Sequence, residues 1–369
     1  MHIPDGYLSP ATCVTLYAAS APFWYVAMQR VKRLLSTRLV PLLSLFAAFS
    51  FVIMMFNLPL PGGTTGHAAG MGIAAIVLGP WASMLAVSVA LLIQALFFGD
   101  GGITAFGANC FNMAIVGSLV AYWVYRLVAG NSPITATRRV VAAGVAGYAA
   151  INVAALLTAI EFGIQPLLYT DASGAPLYAP YPLSIAIPAM MIGHVTIAGL
   201  AELIITAGVV AYLQKSDPAL LKATSGQARE PGELATRSGW AATRSLWIGL
   251  AVLMVASPLG LLAAGSAWGE WGVEDFATAE GRQAIAEASG GVQPHSATPA
   301  GLERLSSFWT APIPDYAPAW MKSETFGYIL SAMVGIGLVI LTFLLIGWLA
   351  GLLRRDTETP TPASRGGSA

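Results

Sequence analysis

An all-α, polytopic membrane protein is the fold class this sequence predicts, and three observations predict it. Of 369 residues, 56% are hydrophobic and only 10% charged, with mean hydropathy +0.69. The apolar residues fall in runs long enough to cross a hydrocarbon core of about 30 Å as helices. Lysine and arginine cluster between those runs, as they do in cytoplasmic loops. Zero formal net charge gives no sign of a nucleic-acid partner. Cys13 and Cys110 lie in or beside apolar runs and read as buried small residues rather than a disulfide.

In chain order, Met1-His2-Ile3-Pro4-Asp5-Gly6-Tyr7 comes first, and the first positive side chain is Arg30. With no basic stretch before an apolar core, this end does not read as a cleaved secretory signal. Ser9-Pro10 reads as an N-cap and first-turn proline for a helix to about residue 29. Arg30, Lys32, Arg33 and Arg38 follow at once, which predicts a cytoplasmic turn and an outside N-terminus. A second span, about 39–57, returns the chain to a Pro/Gly-rich turn that ends at His67. The run 67–79 is short for a bilayer, so it predicts a short helix buried among its neighbours. Spans follow at about 81–98, 107–129, 139–161 and 183–213. Arg126, Arg138 and Arg139 mark the inside, and a Pro/Tyr-rich outer loop covers 162–182.

A polar cytoplasmic linker is expected at 215–240, separating a seven-helix domain (1–214) from a two-helix module (241–351). The module's spans are expected at about 245–264 and 325–350, joined by an outer segment over about 265–322. Arg354-Arg355 then lie inside, and the tail 352–369 reads as disordered. Nine helical segments put the two ends on opposite sides.

The chemistry-bearing stretch is the first dipeptide. It presents the Met1 α-amine, the His2 amide and the His2 imidazole, which close two fused chelate rings around a Cu(II)- or Ni(II)-class ion. Tetragonal nitrogen ligation favours those ions. Any chain with His second has this end, so the dipeptide alone is weak evidence. One more imidazole, His67 or His194, would complete the plane, and the topology puts His67 on the side of His2. Asn109 and Asn112 are read either as helix-start and interhelical bonders or as supports behind the metal. His194 and Glu202, ionisable groups in a span, are either functional or hydrogen-bonded between helices.

Three stretches, Met1 to Tyr7, the Gly66-His67 turn and Phe98-Gly99-Asp100-Gly101-Gly102 through Asn109, resemble the substrate-binding M component of nickel/cobalt energy-coupling-factor transporters. Residues 241–351 are similar to the N component, through Asp275-Phe276, Gly301-Leu302-Glu303 and Pro314 to Pro318. The resemblance implies an N-terminus dipping into a seven-helix bundle. It implies a metal held by the amine of Met1, the amide and imidazole of His2, and His67; the matched motif assigns nothing to His194, which is read as lying behind them. It also implies a membrane coupling subunit and cytoplasmic ATPases as partners in the plasma membrane. The cargo it implies is Ni(II), with Co(II) for cobalamin synthesis as the alternative.

The sequence has no Gly-x-x-x-x-Gly-Lys-Ser/Thr loop, so ATP hydrolysis by that route is assigned to partners. Binding should release protons from the amine and the His2 amide, and the bulk of His2 predicts that Met1 is retained. An intramembrane metalloenzyme, the competing class, would need an open coordination site and an adjacent base. Only His194 with Glu202 offers that pair. The carboxylates of the outer segment, Glu270, Glu274, Asp275 and Asp315 among them, suit metal loading better than tight ligation.

The topology is open to test. A cysteine placed at Ser216 should react with an impermeant maleimide only from the cytoplasmic side, and labelling from outside would invert the arrangement.

Overall fold

The first helix begins where its sequence signals it. Ser9 Oγ accepts the Thr12 amide at 3.1 Å, and Pro10 opens α1 (Pro10–Leu34). The computed structural model describes residues 1–34, 39–61, 63–222, 224–225, 240–263, 265–318 and 320–355. Arg38, Arg229, Arg237, most of the expected linker and the tail beyond Arg355 lie outside the described residues.

After α2 (Leu39–Met54), the Pro/Gly-rich turn is a small antiparallel hairpin of β1 (Leu58–Leu60) and β2 (Thr64–Gly66). An all-helical reading misses it. Two β-branched threonines in β2 suit a pleated strand, and Ser266 accepts the Thr65 amide at 3.3 Å. Next come α3 (Met71–Leu78), α4 (Pro80–Phe98), α5 (Phe106–Ala129), α6 (Thr137–Leu168) and α7 (Leu183–Ser216). The C-terminal module has α8 (Trp240–Ala256), short helices α9 (Val273–Ala277), α10 (Ala279–Ala288) and α11 (Ala300–Leu305), and finally α12 (Glu324–Arg355).

Among the described residues, six helices are long and apolar enough to cross a membrane: α4, α5, α6, α7, Thr243–Leu262 and Glu324–Leu349. At 16 residues α2 is apolar but short, and α1 is long but less apolar. The buried short helix expected over 67–79 is α3, only 8 residues long. The helix expected to exit near Glu161 continues to Leu168, so Glu161 lies inside α6. Pro166 removes one backbone hydrogen bond only two residues before that end.

The core is built around α6, which packs against α5 and both halves of α7. Ala142, Ala146, Gly147, Ala150 and Ala154 are all buried on it. Without side-chain bulk, backbones approach closely and dispersion replaces the hydrophobic drive absent in lipid. In the C-terminal module, α8 and α12 both pack on α2.

Three helices contain π-turns: Gln94–Phe98 in α4, Cys110–Gly117 in α5 and His194–Ala198 in α7. Such turns add a residue to a helical turn and redirect side chains, often at functional sites. The hairpin packs against the α7 turn: a Cβ on Gly66 would meet Leu60 and Ala198.

From β2 to α3 the backbone is non-helical yet buried. Such a segment must find hydrogen-bond partners inside the protein. Glu202 supplies them. Its Oε2 accepts the amides of Ala69 (2.8 Å) and Gly70 (3.0 Å), and its Oε1 accepts that of Gly72 (3.1 Å). The Thr206 hydroxyl also donates to Oε1 at 3.4 Å. A side chain at Gly72 would run into Thr206 and the Gly147 backbone, so glycine there lets α3 reach the carboxylate.

Glu202→Ala should therefore strip the acceptor from three buried amides, at roughly 1–3 kcal/mol each. The expected result is a clear drop in unfolding midpoint in detergent, with Glu202→Gln intermediate because it keeps one acceptor oxygen. An alanine variant that melts with the parent would remove this role from Glu202.

Candidate metal centre

The first eight residues are not a free tail. Met1, His2, Ile3, Tyr7 and Leu8 are each 2% exposed or less. A buried non-helical segment needs its peptide groups paired, and the glycine-rich turn after α4 and the start of α5 do this. Asn109 Oδ1 accepts the Ile3 amide at 2.8 Å, and its Nδ2 donates to the Ile3 carbonyl at 3.1 Å. The Gly102 amide donates to the same carbonyl at 2.8 Å. Asp5 answers from the other side, accepting the amides of Ile103 (3.2 Å) and Thr104 (2.7 Å) and the Thr104 hydroxyl (2.5 Å). A Cβ at Gly102 would collide with the Asp5 backbone nitrogen, so the two segments fit only with glycine there.

This docking brings the His2 ring to the His67 ring. Their centroids lie 4.9 Å apart with planes 27° from parallel. His67 Nδ1 is 3.1 Å from the Ala68 carbonyl. A carbonyl only accepts, so Nδ1 carries the proton and Nε2 keeps its lone pair. Nε2 of both rings is buried without a hydrogen-bond partner. His2 Nδ1 contacts Asp100 Oδ1 at 2.7 Å. Burial alone would raise the Asp100 carboxyl, but the charge of His2 and its hydrogen bond outweigh burial and hold it well below the usual carboxylate range. The Met1 α-amine lies 3.2 Å from Glu270 Oε1, in the segment before α9.

No group of three or more His, Cys, Asp or Glu side chains able to hold a metal occurs among the described residues. Met1, His2 and His67, the expected ligands, are gathered at one end of the bundle. Asn109 lies beside them, though inside α5 rather than at its cap, and it fixes the strand that carries His2. Asn112 is turned to α6, donating to Thr158 Oγ1 (3.1 Å) and Glu161 Oε2 (2.8 Å). His194 is buried with Nδ1 on its own helix, 2.8 Å from the Met190 carbonyl. Glu202 holds the segment that follows His67, and it does not pair with His194.

Sequence reasoning gave no role to Asp100 or Tyr316, and it placed Glu270 only among the outer carboxylates suited to metal loading, not at the Met1 amine. Asp100 had a signal, being the one charged residue in a run of glycines. Glu270 and Tyr316 approach from the distant C-terminal module, where spacing carries no information.

Six apolar helices long enough to cross a bilayer, with a buried N-terminal segment whose His2 ring stacks on His67, define a multi-pass membrane protein. Residues 2–220 match the family described as CbiM, cobalt uptake substrate-specific transmembrane region, and residues 242–352 match the PDGLE domain. The chain belongs to the CbiM family, with a PDGLE domain following.

Among its relatives is the fused nickel transport protein NikMN of Rhodobacter capsulatus, 58% identical over 96% of this chain and 99% of that one. The probable fused nickel transport protein LarMN of Lactiplantibacillus plantarum is 43% identical over 97% and 99%. A solved structure described as a transition metal transporter shares 50% identity at TM-score 0.56, covering 61% of this chain and 98% of that one.

Proposed function

We propose that this chain is the metal-capturing membrane component of an ATP-driven Ni(II) importer. The observation that carries the reading is the burial of Met1 and His2 against His67, with the His67 Nε2 unpartnered. In this reading four nitrogens make the plane: the Met1 amine, the His2 amide, His2 Nδ1 and His67 Nε2. The ion displaces Glu270 from the amine and Asp100 from Nδ1 as it enters. Ionised amide nitrogen in a square plane suits Ni(II), and two full-length relatives are named for nickel transport. Cobalt is the second reading, favoured by the family's own description and by the cobalt transport protein CbiM of Geobacter sulfurreducens at 35% identity.

The remaining parts follow the same reading. Residues 1–214 bind the metal, 215–240 link, and 241–351 form an accessory module. The N-terminus faces outward in the plasma membrane, with Arg126, Arg138 and Arg139 at the inner end. A coupling subunit within the membrane and cytoplasmic ATPases supply the energy. His2 and the amine must both give up protons to ligate, so capture weakens as pH falls.

The proposed ligand set requires Met1 to be the mature N-terminus, which intact mass measures directly. One residue added before Met1 should abolish tight Ni(II) binding in calorimetry while the protein still elutes and melts as folded. Binding as tight as the parent's would sink the ligand set. His67→Ala should weaken Ni(II) binding by orders of magnitude, whereas His295→Ala, at an exposed loop position, should change it little. Equal losses would overturn the assignment of His67, and a Co(II) preference in competition would move the cargo to cobalt.

A further inference from the structure

Besides Glu270 at the Met1 amine, the C-terminal module reaches the candidate site through Tyr316. Tyr316 is only 6% exposed, more than 200 positions from Asp100 in sequence, yet its hydroxyl donates to Asp100 Oδ2 at 2.5 Å. Gln94 Nε2 closes a triangle, 3.0 Å from the same Oδ2 and 2.9 Å from the Tyr316 hydroxyl. Gln94 is the first residue of the α4 π-turn. The other oxygen of Asp100 holds His2 Nδ1. A chain of direct contacts thus runs from Tyr316 through Asp100 to the imidazole.

The turn carrying Tyr316 is strained and held from several sides. Asp315 and Tyr316 have φ of 53° and 58°, the two non-glycine residues with positive φ among those described. Two consecutive L-residues adopt that region only when surroundings over-determine it, and such strain gathers at clamps and switches. Here the Tyr316 ring stacks on Phe98 (4.9 Å between centroids, 21°) and meets Phe51 and Tyr328 edge-on. Ser331 on α12 donates to the Tyr316 carbonyl at 2.8 Å. The preceding strand is pinned to the end of α4, where the Ile313 amide and Trp309 Nε1 donate to the carbonyls of Phe97 and Leu96, each at 2.9 Å.

We propose that Tyr316 is a positioning residue for metal capture: through Asp100 it keeps His2 Nδ1 engaged, so the strained turn of the C-terminal module sets how fast that nitrogen becomes free for the ion. The proposal rests on the Ni(II) reading above. A nitrogen that donates a hydrogen to a carboxylate has no lone pair to offer a metal, so capture waits on breaking the Asp100 contact. Tyr316 and Gln94 tether the far oxygen of Asp100 and stop the carboxylate swinging away. Removing the Tyr316 hydroxyl leaves its ring packing and the Asp100 charge intact while loosening that tether.

Two readouts on the full, native-ended chain in detergent test this. Stopped-flow with Ni(II) alone, followed by the visible band of the square-planar complex, should show Tyr316→Phe associating roughly tenfold faster, in line with loss of one charge-assisted hydrogen bond. The band position should not move. In an Asp100→Asn background the same change should have no further effect, because it acts through Asp100. Parent-like or slower association would overturn the proposal. So would equal acceleration in the Asp100→Asn background, which would mark a general loosening.

The second readout needs no metal. Carbethoxylation of His2 by diethyl pyrocarbonate, read by peptide mass spectrometry, should be faster in Tyr316→Phe, with His295 as the unchanged reference. No acceleration at His2 would overturn the latch. If the parent shows no square-planar band while His2 still reacts faster, the Ni(II) reading falls and the latch stands.

Discussion

The two-way bond between Asn109 and Ile3 is the contact on which the rest of the site depends. Peptide groups buried in a bundle cannot borrow hydrogen bonds from water, and each unpaired one costs free energy. Asn109 presents a donor and an acceptor side by side, so one side chain satisfies both peptide groups of Ile3. That leaves the preceding amide and imidazole of His2, and the Met1 amine, facing inward without a covalent anchor. Asp5 and Gly102 complete the docking one step further along.

The His67 segment is organised by the same logic with the charge reversed in origin. On the N-terminal strand the carboxylate is its own, and it bonds the turn opposite. Before α3 the carboxylate comes from another helix, and Glu202 takes three amides in a row. A carboxylate accepts several hydrogen bonds at once, which makes it the efficient group where non-helical backbone passes through a bundle. Glu202 is thereby an architectural group whose effect on His67 is exerted through backbone position.

The C-terminal module closes this end of the bundle. Its segment between α8 and α12 supplies Glu270 to the amine, the Trp271 carbonyl to the Tyr7 hydroxyl at 2.8 Å, and Tyr316 to Asp100. Trp268 adds ring contacts to Phe162 and Tyr181. The Met1 amine and His2 Nδ1 each contact a carboxylate, Glu270 from this module and Asp100 held by the module's Tyr316.

What the sequence by itself determined is whatever depends on local composition and on solvent. Apolar runs place helices in lipid, arginine clusters mark one end, and Ser9-Pro10 starts α1, because each is a preference of a short stretch for its surroundings. The shared end of His2 and His67 follows from counting crossings. Tertiary structure alone decided the hairpin, the π-turns and the pairings of Glu202, Asp100 and Tyr316. Those arise because buried polar atoms must find partners across the fold, and a partner more than a hundred residues away leaves no periodicity in the chain. For Asn112 and His194 too, tertiary structure alone decided the bonds made, Asn112 to Glu161 on α6 and His194 Nδ1 to the Met190 carbonyl of its own helix.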